Sequence, residues 1–579
     1  MKKNRTRILA LILGVFMALT LVLCTACTPR GGNKNVDKNK SQLNIGAFGG
    51  GYGTAYLADL KERFEAYYED YSFEEGKKGV QVWYTENKDR YTASSFVDTI
   101  VVDTNDLFYL SGEENYRFVD ENKIVDITDI VTTPLTEYGE TESIEDKMND
   151  ELKAYYSYKN SYHTLPFLET SLGLTFDLDV FEENELYIAK DGAPSEALQP
   201  GSTWEEGDGY TWVGADGERS AGPDGRYDTE FDNGLPATLE DFQALVDKMY
   251  EMNINSIIWT GQYADTYSTF LARSFQINYH GVDESKIMFD GGGENGRETR
   301  LVTDWNADGT PKIEYVNVGL SNIKDLGKQA GIYYGLKMFE ILLSSGTVSD
   351  YVPQELSHVR TQEKFLVSNH RFGETPIAFM IDGTWWENEA NEAGIFKANK
   401  EEFGLGRTDR RYGYYTLPNA TMEDYAKKVA ANNDADPTND ILNTINGGGG
   451  TLAMNARISK KQQEIAKTFI RFAHTDESLR RITINTSCPA AYQYDLGEAA
   501  KDVSVFAKSY LEVYQNSNVL YGFKPYELRN NNALSDIEDI ILYQWSTGAS
   551  GTLGKFADIC PSQINAEDYF KGIYKRLQG

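Results

Sequence analysis

The stretch Asp382-Gly383-Thr384-Trp385-Trp386-Glu387 concentrates more usable chemistry than any other in the chain. It follows the apolar run Ile377–Ile381, so two indoles and two carboxylates fall at a strand-to-helix turn. Such side chains suit a polyhydroxylated ring: Trp faces cover flat C–H surfaces, and carboxylates accept from hydroxyls. One indole of the pair is expected to pack between helix and sheet, and Trp385 is favoured for a ligand over Trp386. Trp259-Thr260-Gly261-Gln262-Tyr263 repeats this chemistry after the run Ser256–Trp259. There Trp259 is either a platform or a core aromatic.

Two glycine runs offer backbone to a ligand. Gly49–Gly53 follows the strand-like Leu43–Phe48, and Gly447–Gly450 precedes the apolar Thr451–Met454. Without side chains, both allow close approach; each is equally readable as a plain turn or linker. Asp224, Asp228 and Asp232, with Asn233, place oxygen ligands at short spacing in a glycine-rich loop. That pattern reads as a Ca²⁺ site or as a solvated acidic loop, and the spacing is not that of an EF-hand.

Motifs for covalent chemistry are missing. The sequence has no Gly-x-Ser-x-Gly, no His-Glu-x-x-His, no P-loop and no Gly-x-Gly-x-x-Gly between a strand and a helix. His163, His280, His358, His370 and His474 are scattered, as surface or core residues are. Carboxylates are abundant, yet no local pattern singles out a pair for glycoside hydrolysis.

The elements that must position these groups alternate. A helix is expected over Ala55–Tyr68, from the spacing of Leu57, Leu60, Phe64 and Tyr67, and strands over Val80–Trp83 and Thr104–Leu110. Tyr162–Phe176 reads as a strand crossing between two lobes. Residues 190–234 form a loop-rich insertion, with a hairpin near Tyr210–Val213. Residues 239–251 form a helix capped by Thr238, with Glu240 and Asp241 at its positive end. Helices over Ile332–Leu343 and Gln462–Phe472 follow. The class is α/β.

Composition narrows the field further. The 579 residues carry 56 Lys and Arg against 88 Asp and Glu, a net charge of −32, which argues against binding a nucleic-acid backbone. Aromatics at 13% argue against disorder. A basic start and a single apolar run, Ile8–Leu23, read as an export signal over residues 1–26. Ala26-Cys27 fits a lipidation site at Cys27, and residues 27–42 a polar tether. Removing the signal leaves 52 basic residues against 88 acidic, so the exported domain is the more acidic part. Cys488 and Cys560 remain, and pairing between them is left open.

In their order, the lipoprotein start, LNIGAF with its glycine loop, TNDLFYL, YHTLPFLETSLGLTFD, LPATLEDFQALVDKM, SIIWTGQY, IAFMIDGTWWENE and GGGGTLAMNARISKKQQEIAKTFIRF resemble the extracellular solute-binding proteins of family 1. These are maltose-binding-protein-like lipoproteins serving carbohydrate ABC importers. The resemblance spans most of the exported chain. It implies a two-lobed, type II periplasmic-binding-protein-like fold joined by crossing hinge strands. Lobe 1 would take 43–169 and 451–520. Lobe 2 would take 170–450, with insertions near 190–234 and 282–325, and the C-terminal helical segment 521–579 would lie mainly on lobe 2.

The implied ligand contacts are Phe48, Gly49 and Gly50 of the glycine loop, Tyr109 and Ser111 after the third strand, and Glu169 at the hinge. Lobe 2 would add Trp259, Tyr263 or Tyr267, Asp382, Trp385 and Trp386. The implied protein is a monomer without a cofactor or nucleic-acid partner. It would be lipid-anchored at the extracellular face of the membrane, would capture an oligosaccharide by hinge closure and would pass it to a permease. A surface glycan-active enzyme and a binding protein for a peptide or polyamine are the rival readings.

Overall fold

The computed structural model describes residues 35–112, 115–293, 295–344, 356–368, 375–433, 443–521 and 565–571. The export signal, Cys27, His370 and Cys560 lie outside them, as does most of 521–579. Among the described residues no helix is long and apolar enough to cross a membrane.

The chain begins with β1 (Ser41–Ala47), α1 (Ala55–Tyr67), β2 (Val80–Glu86) and β3 (Leu107–Ser111). β1 lies between β2 and β3 and is parallel to both, with Leu43 opposite Val82 and Ala47 opposite Tyr109. Of the apolar spacing expected for α1, Leu57, Leu60 and Phe64 are buried, whereas Tyr67 is exposed. β4 (Thr164–Thr170) and β5 (Leu172–Asp177) then run almost end to end, separated only by Ser171. This is the first crossing into the second lobe.

The insertion over 190–234 has little regular structure. Its Trp212–Val213 pairs antiparallel with Tyr187–Ile188, so the local hairpin expected near Tyr210 is a longer-range pairing. α2 (Leu239–Glu251) has its cap as a closed box. Thr238 Oγ1 accepts from Asp241 N at 3.2 Å, and Asp241 Oδ2 accepts from Thr238 N at 3.1 Å.

The second lobe continues with β6 (Asn255–Ile258) and α3 (Ala264–Asp290), which breaks at Gly281. The stretch flagged as extra near 282–325 contains the two-stranded hairpin β7 (Arg297–Trp305) and β8 (Pro311–Val318). Next come α4 (Ala330–Leu343), α5 (His358–Val367), β9 (Ile377–Gly383), α6 (Trp386–Glu392), β10 (Tyr412–Tyr414) and α7 (Met422–Asn432). The second sheet has the order β6-β9-β5-β10, with β6 and β9 parallel.

β11 (Asn443–Met454) returns the chain. It is antiparallel to both β3 and β4, with Leu452 opposite Tyr109 and Gly449 opposite Glu169. Gly447–Gly450 is therefore strand and not a loop before one. Glycine is required at three of the four, Gly447, Gly449 and Gly450, because neighbours fill the space of a Cβ. At Gly450 it would sit 2.0 Å from the Phe167 ring, and at Gly449 2.0 Å from Leu168 O.

α8 (Lys460–Ala473) and α9 (Asp476–Thr486) lie on the first lobe. α10 (Val505–Gln515) departs from the assignment of 451–520 to lobe 1. It packs on β10, where Tyr414 N donates to Ser509 Oγ at 2.8 Å. β12 (Ser517–Tyr521) then crosses back and pairs with β11. The first sheet has the order β12-β11-β3-β1-β2, with β4 also on β11.

Candidate functional site

The candidate site lies where the C-terminal ends of β6 and β9 meet the loop after β1. Strand ends of this kind are the usual place for ligands in open α/β sheets. β9 is buried along its whole length, so the chain can turn only at its end. Asp382 makes that turn. Its Oδ1 accepts from Gly383 N at 2.7 Å and its Oδ2 from Gln362 Nε2 at 3.0 Å. Burial, and then the nearby charge of Glu389, push its pKa up to about 8.

Gln362 also donates to Glu389 Oε2 at 3.0 Å, and His358 Nε2 lies 3.5 Å from Glu389 Oε1. Buried Gln362 Oε1 and His358 Nδ1 find no partner among the described residues. Groups of this sort are acceptors and donors held ready beside the turn. Thr384 bolts the turn to the hinge: its N–H donates to Ser171 O at 2.9 Å, and its Oγ1 accepts from Ser171 N at 3.3 Å.

Trp385 projects from this turn and spans the gap between lobes. The benzo edge of its indole lies over Gly383, where a Cβ would be 2.3 Å from Cη2. Its pyrrole edge lies over Gly51 of lobe 1, where a Cβ would be 2.2 Å from Cδ1. The half-buried ring packs against two separate clusters of buried hydrophobic residues. Asn388 Nδ2 adds a hydrogen bond to Gly51 O at 3.2 Å. Gly53, at φ +64°, has Glu392 Oε1 2.0 Å from where its Cβ would stand.

Trp386 is turned the other way. It is fully buried, with its ring centroid 5.2 Å from that of Tyr412 and 5.4 Å from that of Phe506. Its inclusion among ligand contacts is corrected: it is a core side chain. Trp259 is corrected likewise, being fully buried against Phe339 of α4. Tyr263 is 43% exposed and lies parallel to Tyr267, with centroids 6.4 Å apart at 15°. Tyr267 approaches Asp382, which places this aromatic pair beside the turn.

On lobe 1 the glycine loop divides. Gly49 and Gly50 are covered from within their own lobe, by Glu86 and by the Phe48 ring. Gly51 and Gly53 face lobe 2 instead; the implied contacts stop at Gly50 of this loop and leave out Asn388. Four glycines within five residues are the available signal, but the partner side chains are over 300 residues away. Phe48 is half-buried, its N–H donates to Tyr109 O at 2.8 Å, and its ring lies 5.6 Å from Tyr52. Tyr109 is buried between Tyr56 and Phe167, and its hydroxyl has no partner among the described residues. Ser111 ends β3 half-exposed, opposite Gly450.

Glu169 is fully buried and committed to the hinge. Oε1 accepts from Gly448 N at 3.0 Å and Oε2 from Tyr521 Oη at 2.8 Å. It ties together the three segments that cross between lobes. Beside it, Cys488 is buried, with Sγ 3.7 Å from Thr384 Oγ1.

The carboxylates considered for Ca²⁺ have other partners. Asp228 accepts from Arg226 Nε at 2.9 Å and from Nη2 at 2.8 Å. Asp224 accepts from Arg226 N, while Asp232 is buried and accepts from Asp224 N. Among the described residues, no group of three or more His, Cys, Asp and Glu could hold a metal ion.

No protein-family model matches the sequence, and no curated protein does. Solved structures do match the fold. A chitin oligosaccharide binding protein superposes with a TM-score of 0.51 at 14% identity, over 93% of this chain and 98% of its own. A structure described with xylan utilization by the thermophilic bacterium Caldanaerobius polysaccharolyticus gives 0.50 at 11%, over 92% and 99%. A cyclic alpha-maltosyl-1,6-maltose binding protein from Arthrobacter globiformis gives 0.47 at 12%, over 93% and 100%. The first two establish for this chain a two-lobed, periplasmic-binding-protein-like α/β fold.

Proposed function

We propose that this chain is the substrate-binding component of an ABC importer and captures an oligosaccharide between its lobes by hinge closure. One observation carries the reading: the Trp385 indole stands in the gap between lobes, fixed at its base and facing the backbone of Gly51. A sugar ring offers the flat C–H face such an indole binds, and Gln362, His358, Glu389 and the Tyr263–Tyr267 pair supply polar and aromatic contacts next to it. Contacts to both lobes favour the closed state over the open one, which is all that capture requires. No bond is made or broken. The solved chitin oligosaccharide binding protein shares this fold and adds support.

In this reading the chain is anchored through lipid on Cys27 at the extracellular face of the membrane and delivers its ligand, as a monomer, to a membrane permease. Trp fluorescence titrated with di- to hexasaccharides of several linkages tests the binding role. A saturable change with at least one sugar, lost in Trp385→Ala, is expected. Silence across all sugars, together with a response to peptides or polyamines, would replace the ligand class. Released product on incubation with the same sugars would make the protein an enzyme. Metabolic labelling with a palmitate analogue, abolished by Cys27→Ala, tests the anchor.

A further inference from the structure

Away from the gap between lobes, the hairpin β7–β8, α3 and α7 line a groove of about 290 Å³. That volume is at the lower end of ordinary ligand sites. The hairpin belongs to the stretch that the sequence marks as extra, so the groove is an addition to the two-lobed plan.

Most of the charges lining it are already engaged. Glu284 and Asp424 stand against Arg300 and Lys427, Asp283 lies 3.8 Å from Lys286, and Lys428 donates to Asn443 Oδ1. Arg300 Nε donates to Glu284 Oε1 at 2.8 Å, its Nη1 is 3.6 Å from Asp424, and its guanidinium lies 4.1 Å over the Tyr279 ring. Glu284 also holds His280 at 2.7 Å, and Lys427 lies 3.8 Å from Asp424. A charged ligand would have to break these pairs. A neutral polyhydroxylated one would not. It would find the Tyr315 ring, 63% exposed, as a stacking face, with Asn278 and Asn419 at the wall.

We propose that this groove is a second oligosaccharide site, separate from the gap between lobes, which takes a neutral glycan by stacking on Tyr315 among pre-paired charges. The ligand class rests on the proposed function above. The groove also touches the hinge, since Asn278 Oδ1 accepts from Thr444 N at the start of β11, at 3.1 Å.

Calorimetric titration of the full chain with chitohexaose, xylohexaose and maltohexaose tests it. Two equivalents of one sugar per chain are expected. Tyr315→Ala should weaken one event about tenfold and spare the other, and Trp385→Ala should do the reverse. A single equivalent, removed by Trp385→Ala and untouched by Tyr315→Ala, overturns the second site and leaves the first standing. No binding of any of the three sugars overturns both.

Discussion

The indole of Trp385 rests on the α-carbon of Gly51, one residue from each lobe, with no room for a side chain between them. The contact sets how closely the lobes approach. An alanine at Gly51 would put its Cβ 2.2 Å from the ring. Gly51→Ala should therefore hold the lobes apart, raising the radius of gyration in small-angle scattering and weakening ligand binding, with little change in melting temperature. Unaltered scattering and affinity would show that lobe spacing is set elsewhere.

The adjacent tryptophans should behave oppositely. Trp385→Ala should cost affinity about 10- to 100-fold and stability little, because the ring is half-buried at a boundary. Trp386→Ala removes a fully buried ring from among Phe365, Tyr412 and Phe506, and should cost about 3–5 kcal/mol of stability. Urea unfolding and ligand titration of both variants separate the two roles. If both lose affinity alone, the core assignment of Trp386 is wrong.

Asp382 predicts a pH dependence. Its pKa rises from 3.8 to about 8 on folding, through burial and then the charge of Glu389. Between those values the folded chain holds a proton that the unfolded chain has released. Stability therefore falls as pH rises through that window, and the penalty is complete above about pH 8. Asp382→Asn should flatten this part of the profile of melting temperature against pH, since Gln362 can turn its amide to meet the new group. A slope identical to that of the parent protein would assign the effect to other groups.

Glu169 should matter to stability through both of its oxygens. Glu169→Ala strands the N–H of Gly448 in a buried hinge and leaves the Tyr521 hydroxyl with Tyr514 alone, a loss of about 1–3 kcal/mol. Glu169→Gln keeps an acceptor for Gly448 and should lose less. Equal losses for the two variants in urea melts would show that the carboxylate acts as packing alone.

Local chemistry made much of the fold legible. Leu57, Leu60 and Phe64 announce α1 by spacing, Thr238 and Asp241 announce the start of α2, and the paired apolar runs around Thr170 announce the crossing. What stayed hidden depends on distant partners. Trp259 and Trp385 both follow buried strands, and only the covering helix α4 makes the first a core residue. Gly447–Gly450 has no strand propensity, yet Phe167 and Leu168 press so closely on Gly450 and Gly449 that only glycine fits at those two positions. The junction of Gly51, Trp385 and Asn388 joins segments that no sequence window contains.

β11 sits inside the first sheet, between β3 and β12, and pairs Leu452 with Tyr109. During synthesis, β1, β2 and β3 thus emerge long before the strand that completes their sheet. The second sheet, drawn wholly from residues 172–414, has all of its strands earlier. The second sheet can form while the first remains an open edge, so β1 to β3 wait for β11, and α10, which covers β10, arrives after both.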